Sequence, residues 1–170
     1  MQPSGIARKL LVTGALAWSV SSCLYGFAGG GLPSHIRTVA ILPFDNQTVD
    51  PGLTGEVAQA VRTAMENRLG LRPAAESQAD AVVRGSITRY ESDVALAFQQ
   101  RETGNVSVTR RLVRLTVSVE IYDQTEQRML WQRSGLRVEG EYDPPQERDG
   151  RQLALERLVS DIVDGAQSQW

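Results

Sequence analysis

The sequence predicts an α+β fold: a two-layer sandwich in which two helices pack on one face of a mostly antiparallel, four-stranded mixed sheet, in the order β-α-β-β-β-α. Three observations predict it. Within residues 110–122, the run 113–121 alternates strictly, with Val113, Leu115, Val117, Val119 and Ile121 on one side and Arg114, Thr116, Ser118 and Glu120 on the other. That is the pattern of a strand with one covered and one wet face. Two further stretches place apolar residues at helical spacing, so each helix has a single side to bury. Setting both helices on one face of the sheet buries every one-sided element against another.

Taken in order, residues 1–22 have the layout of a secretory signal: Arg8 and Lys9, an apolar segment from Leu10 to Val20, then small Ser21 and Ser22. The apolar segment falls short of the roughly 18–20 residues that span a bilayer, and no later stretch approaches that length. Val20-Ser21-Ser22-Cys23 is similar to the bacterial lipobox, in which the signal is cut before the cysteine and lipid is attached to it. Cys23 is the sole cysteine and has no disulfide partner. Lipid attachment at Cys23 gives it a purpose, and several acyl chains, at about 0.8 kcal/mol per buried CH₂, anchor stably where one alone does not. Leu24, rather than Asp, after the cysteine points to the outer membrane, on its periplasmic side.

Residues 23–34 read as a lipidated N-terminus and a glycine-rich tether, with Gly26 and Gly29-Gly30-Gly31 closed by Pro33. Residues 35–170 then form a single domain, and a mature chain of roughly 150 residues is long enough for one core. The formal net charge of −2 falls to about −4 once Arg8 and Lys9 are removed. An acidic domain argues against a nucleic-acid partner.

Ile36–Phe44 is a nearly continuous apolar run ended by Pro43 and the turn-prone Asp45-Asn46, and reads as a buried strand. Asp50-Pro51 predicts a helix start, with Asp50 as the cap and Pro51 in the first helical position. Val57, Ala60, Val61, Ala64 and Met65 mark its apolar face, and Gly70 its stop. Leu71–Pro73 is a candidate edge segment. Ala81–Phe98 predicts a long strand bent near Glu91–Asp93, Arg101–Asn105 a turn, and Asp123–Gln127 a hairpin loop. Arg128–Tyr142 changes its inside/outside phase near Ser134-Gly135, as a bulge requires. After Pro144-Pro145, Leu155, Leu158, Ile162 and Ala166 mark a final amphipathic helix.

The chemistry of an enzyme is missing. His35 is the sole histidine and stands at the start of the first strand, where it reads as an exposed residue. No nucleophile and base can be assembled around it, and one His with one Cys is too few for an ordinary metal site. The expectation is therefore no catalytic residue, no metal, and no cofactor beyond the covalent lipid on Cys23. Gly26–Gly31 precedes a strand, lacks the Lys-Ser/Thr ending and is no phosphate loop. Trp131 reads as a core or interface anchor.

The chain resembles the LPS-assembly lipoprotein family, LptE. The resemblance rests on Cys23, Tyr25, Phe27 and Gly29 within CLYGFAGG, and on LPSHIRTVAILPFDNQT (32–48), whose strand ends in Phe-x-Asn-x-Thr. QADAVVRGSITRY (78–90), LTVSVEIYD (115–123) and MLWQRSG (129–135) follow in the family's order. Leu24 replaces the family's usual Gly, and Pro73 interrupts what is usually a short strand. The resemblance implies a lipoprotein bound within a large outer-membrane β-barrel of the LptD type, assisting barrel assembly and the insertion of lipopolysaccharide. It further implies contacts to the lipid from basic residues near the central hairpin and before the last helix. The matching positions are Arg101, Arg110 and Arg111 around the hairpin, and Arg148 and Arg151 in the loop. The alternative reading is a periplasmic adaptor or activator of a cell-wall synthase or secretion pore, because lipoproteins of those kinds share the Val-Ala-hydrophobic-Pro-Phe strand.

Overall fold

The computed structural model describes residues 31–100 and 106–168, and all of their side chains except those of 97–100 and 106–109. Cys23, most of the tether and Arg101 lie outside the described residues. Of the strand expected over Ile36–Phe44 only Thr38–Ile41 forms, as β1, and a second short strand, β2 (Asp45–Asn46), follows beyond it. Both run parallel to β4 (Ala81–Gln100), with Val39–Ile41 beside Ala81–Val83 and Asp45-Asn46 beside Ser86-Ile87. Pro43 has no N–H to give the ladder and breaks it there. Phe44 turns into the core, its ring so close to Gly85 that a Cβ at that position would stand 2.6 Å from Phe44 Cε1. Asp45-Asn46 is thus a strand and not the turn expected from its residue types.

Helix α1 (Leu53–Leu69) starts later than Asp50-Pro51 suggested. Gly52 occupies the N-cap with no side-chain bond, while Asp50 Oδ1 accepts the Gly52 N–H at 2.9 Å. Leu53, Val57, Val61, Ala64 and Met65 are its buried stripe, and Gly70, at φ +67°, closes it in the left-handed conformation glycine favours. β3 (Arg72–Pro73) then pairs in parallel with β1, so the edge segment exists. Pro73 is tolerated there because the outermost strand needs no N–H from it. The helix is the crossover that parallel pairing demands, which explains why this half of the sheet is parallel.

The other half is antiparallel. β4 pairs with β5 (Val106–Asp123) and β5 with β6 (Arg128–Tyr142). The sheet therefore holds six strands where four were expected, in the order β3-β1-β4-β5-β6 with β2 also beside β4. The β4 bend appears as a register shift between Glu91 and Val94. The β6 phase change is a bulge: Val117 faces Leu136 and Val119 faces Arg133, leaving Ser134 and Gly135 opposite Ser118. Gly135 adopts φ +65° there and donates its N–H to Ser118 Oγ at 3.1 Å. β6 stops at Tyr142 opposite Arg111, whereas the β4–β5 ladder runs on to Gln100 opposite Val106. A two-stranded arm thus extends past the three-stranded region.

Helix α2 (Glu147–Gln167) lies on the same face as α1 and buries Ala154, Leu158, Ile162, Val163 and Ala166. One core fills the space between the layers, with Val113, Val117, Val119 and Ile121 of β5 at its centre. Gly140 of β6 and Gly150 of α2 meet backbone to backbone, since a Cβ on Gly140 would stand 1.8 Å from Gly150 O. Trp131 is buried in this core and its indole covers Gly165, consistent with an anchoring role.

Candidate lipid-anion site

The arm, the end of β6 and the first turns of α2 converge at one end of the sheet. The cis Pro144-Pro145 connection lies between the last two. Arg110 and Arg111 belong to β5 itself, at the root of the arm, and not to the hairpin turn. Arg148 and Arg151 lie in α2, not in the loop before it. The four arginines lie toward the same end of the sheet, but only Arg148 and Arg151, with Glu56 and Glu147, line a cleft of about 810 Å³ there; Arg110 and Arg111 are not among its lining residues.

Their environments differ sharply. Arg151 is an internal hub. Its guanidinium contacts Asp50 at 2.9 Å, Glu56 at 3.1 Å and Glu147 at 3.2 Å, and it lies 5.0 Å from the centre of the Tyr90 ring. Tyr90 Oη donates to the same Glu147 carboxylate at 2.8 Å. Burial disfavours the Arg151 charge, but Glu147, Tyr90, Glu56 and Asp50 outweigh it and hold the group more firmly protonated than usual. Burial, reinforced by Glu147, pushes the Tyr90 hydroxyl well above its ordinary range. The Phe44-x-Asn46-x-Thr48 pattern builds one wall of this hub. Asn46 Nδ2 donates to Asp50 O at 2.7 Å, and Asn46 Oδ1 accepts from both Thr48 N–H and Thr48 Oγ1, at 2.9 and 2.7 Å.

Arg111 pairs with Asp93 and keeps a buried Nε without a hydrogen-bond partner. Arg110 is more than half exposed, with Glu141 and Asp143 only at 3.5 and 3.9 Å. Arg148 is exposed and makes no ion pair among the described residues. Arg110 and Arg148 are therefore the two exposed guanidiniums here with donors open to solvent. Acidic neighbours, among them Asp93, Glu141, Asp143, Glu147 and Asp149, keep this end from being a strongly positive patch.

The sheet face away from the helices continues this pairing. Arg84 donates to Glu120 at 2.9 Å, and Gln132 to the same residue at 3.2 Å. Arg114 sits between Glu139 at 2.7 Å and Glu91 at 3.1 Å, which together raise its basicity. Exposed large apolar residues are scattered, at Val49, Leu96, Met129 and Leu153.

Sequence reasoning missed a second constellation, at the opposite end of the sheet. Asp123 is completely buried, and its Oδ2 lies 2.7 Å from His35 Nε2. His35 is thus a half-buried, bonded residue and not the exposed one expected. A signal was present: Asp123 continues the inward parity of Val113 to Ile121, so a carboxylate on the core face was readable from the alternation alone.

The sequence pattern of the LptE family, described as lipopolysaccharide-assembly, matches residues 36–168, and the chain belongs to this family. It is a non-catalytic family of lipopolysaccharide assembly and of envelope lipoproteins. No curated protein sequence matches the chain. Among solved structures it is similar to a PelC variant dodecamer from Paraburkholderia phytofirmans, at 15% identity over 82% of this chain and 92% of that one, with a TM-score of 0.51. It is also similar to the protein XCC0632 from Xanthomonas campestris, at 11% identity over 82% and 90% of the two chains, with a TM-score of 0.53. At such identities the likeness shows the fold. Among the described residues, no helix is long and apolar enough to cross a membrane.

Proposed function

We propose that this chain is the outer-membrane lipoprotein of a lipopolysaccharide translocon, seated within a large β-barrel of the LptD type, where it assists barrel assembly and the insertion of lipopolysaccharide. The family assignment over residues 36–168 carries the reading. The wet sheet face supports it, because a barrel lumen is polar and accepts a surface of paired charges more readily than an apolar one. Acylation of Cys23 holds the domain at the periplasmic side of the outer membrane. Arg110 and Arg148 make the anion contacts, since guanidinium binds phosphate through paired N–H donors and these two have donors open to solvent. Arg101, which lies outside the described residues, is a further candidate from the family resemblance; Arg111 and Arg151 hold the surrounding structure.

Affinity purification of the full chain from outer membranes tests the partner. A large outer-membrane barrel should co-purify. Recovery of a peptidoglycan synthase or a secretion pore, and no barrel, would overturn this reading in favour of an adaptor role. Cys23→Ala should release the protein from membranes with its far-ultraviolet circular dichroism unchanged. The paired substitution Arg110→Ala with Arg148→Ala should weaken lipopolysaccharide binding by about tenfold, as loss of one to two charge-assisted hydrogen bonds implies. Arg151→Met should instead act mainly on stability.

A further inference from the structure

The end of the sheet opposite the arginines carries a group of side chains that the proposed function does not use. His35 lies in the segment leading into β1 and faces the turn between β5 and β6. Asp123 Oδ1 is held by the N–H groups of Thr125 and Glu126 at 2.8 and 2.9 Å, which leaves Oδ2 for His35 Nε2 at 2.7 Å. On the other side of the ring, His35 Nδ1 faces Glu126 Oε1 at 3.7 Å. Arg128 holds the second oxygen of Glu126 at 2.6 Å, so that Oε1 remains turned toward the ring. One ligand atom from each of His35, Asp123 and Glu126 lies within 4.8 Å of the other two.

Hydrogen bonding fixes the chemistry of the ring. With Nε2–H donated to a fully buried carboxylate, a neutral His35 carries its lone pair on Nδ1, aimed at a carboxylate oxygen. Two acceptors then face each other across 3.7 Å, an arrangement that calls for a cation between them. Two metal–ligand bonds of about 2.0–2.2 Å, to imidazole nitrogen and carboxylate oxygen, are long enough together to bridge that distance. The buried Asp123 behind the ring is the outer carboxylate that metal-bound histidines usually carry, setting their tautomer and orientation.

We propose that His35 Nδ1 and Glu126 Oε1, with Asp123 positioning the ring, form a binding site for a divalent transition-metal ion of the zinc class, completed by water. Imidazole with carboxylate suits that class better than calcium or magnesium. The bound ion ties the segment leading in from the tether to the β5–β6 turn, and so fixes how the domain hangs from its anchor.

Zinc calorimetry and cobalt absorption spectroscopy on the chelator-treated full chain test the site, in a Cys23→Ala background that removes the competing thiol. One saturable equivalent of zinc should bind at neutral pH, and cobalt should show visible ligand-field bands. His35→Gln and Glu126→Gln should each weaken binding by about tenfold or more, and a well-folded Asp123→Asn by about 10- to 100-fold. Glu66→Gln, on α1, should bind as the parent does. His35 and Glu126 are partly exposed, so those two variants decide the matter even where Asp123→Asn fails to fold. No saturable zinc binding, or binding unaltered by His35→Gln, overturns the proposal. So does an imidazolium nitrogen-15 spectrum of His35 at neutral pH that added zinc leaves unchanged, because a proton would then fill the gap.

Discussion

The two ends of the sheet solve the same problem, a charge kept away from water, in opposite ways. At the arm end the charge is the long, half-buried cation Arg151, satisfied by carboxylates from the loop before α1, from α1 and from α2, with Tyr90 of β4 beneath it. At the tether end the buried charge is the short anion Asp123, satisfied by two backbone N–H groups of its own turn and by His35. The difference is one of distance along the chain. The arginine hub ties together elements far apart in sequence. The aspartate organises its own turn and adds one long-range partner.

The comparison is broken most severely at the arm end by Gly140→Ala, because the new methyl would meet the Gly150 carbonyl and push α2 off β6. A loss of about 3 kcal/mol is expected in urea unfolding, with Arg151 carried away from its partners. Asp123→Ala should cost about 2 kcal/mol, since it removes the buried carboxylate that holds the Thr125 and Glu126 N–H groups and His35. Arg151→Met should cost about 1 kcal/mol, less than its contacts suggest, because Asp50, Glu56 and Glu147 keep partial access to water once released.

Changing the pH should separate the ends more gently. At the tether end, the Arg37 N–H leads the contacts that hold Asp80 below the usual carboxylate range, followed by the Thr38 hydroxyl, against the cost of burial. Its stabilising effect is present above about pH 4 and is lost as pH falls through the depressed value. At the arm end, Tyr90 is raised, so its contribution is present below about pH 10 and is lost as pH rises beyond it. Hydrogen exchange at the Arg37 and Thr38 amides, which the Asp80 carboxylate holds, should therefore speed up first in acid, and exchange in the first turn of α2 first in alkali. The reverse order would remove the distinction drawn here.

The placement of the candidate arginines, though not any contact they make with a lipid, was partly legible in the sequence. Arg110, Arg111, Arg148 and Arg151 were picked out, and they do gather at one end. Their inequality was not legible, because it depends on partners such as Glu56 for Arg151 and Asp93 for Arg111, which only the packing of α1 against α2 and the bend of β4 bring near. Asp50 was misread for the same reason: before a helix it looks like a cap, yet its carboxylate serves Gly52 and Arg151.

What the sequence by itself determined was everything written in a local period. Alternation from Val113 to Ile121 set the faces of β5, helical spacing set the buried stripes of α1 and α2, and Gly70 and Gly135 marked a helix stop and a bulge. These follow from the backbone's own geometry, which neighbouring residues are enough to specify. The tertiary structure alone decided that Asp45-Asn46 would be a strand, because its partner is Ser86-Ile87. It likewise decided that His35 would reach Asp123. Both depend on which distant segments the shared core draws together, and hydrophobic burial, being non-directional, writes no short-range pattern that names the partner.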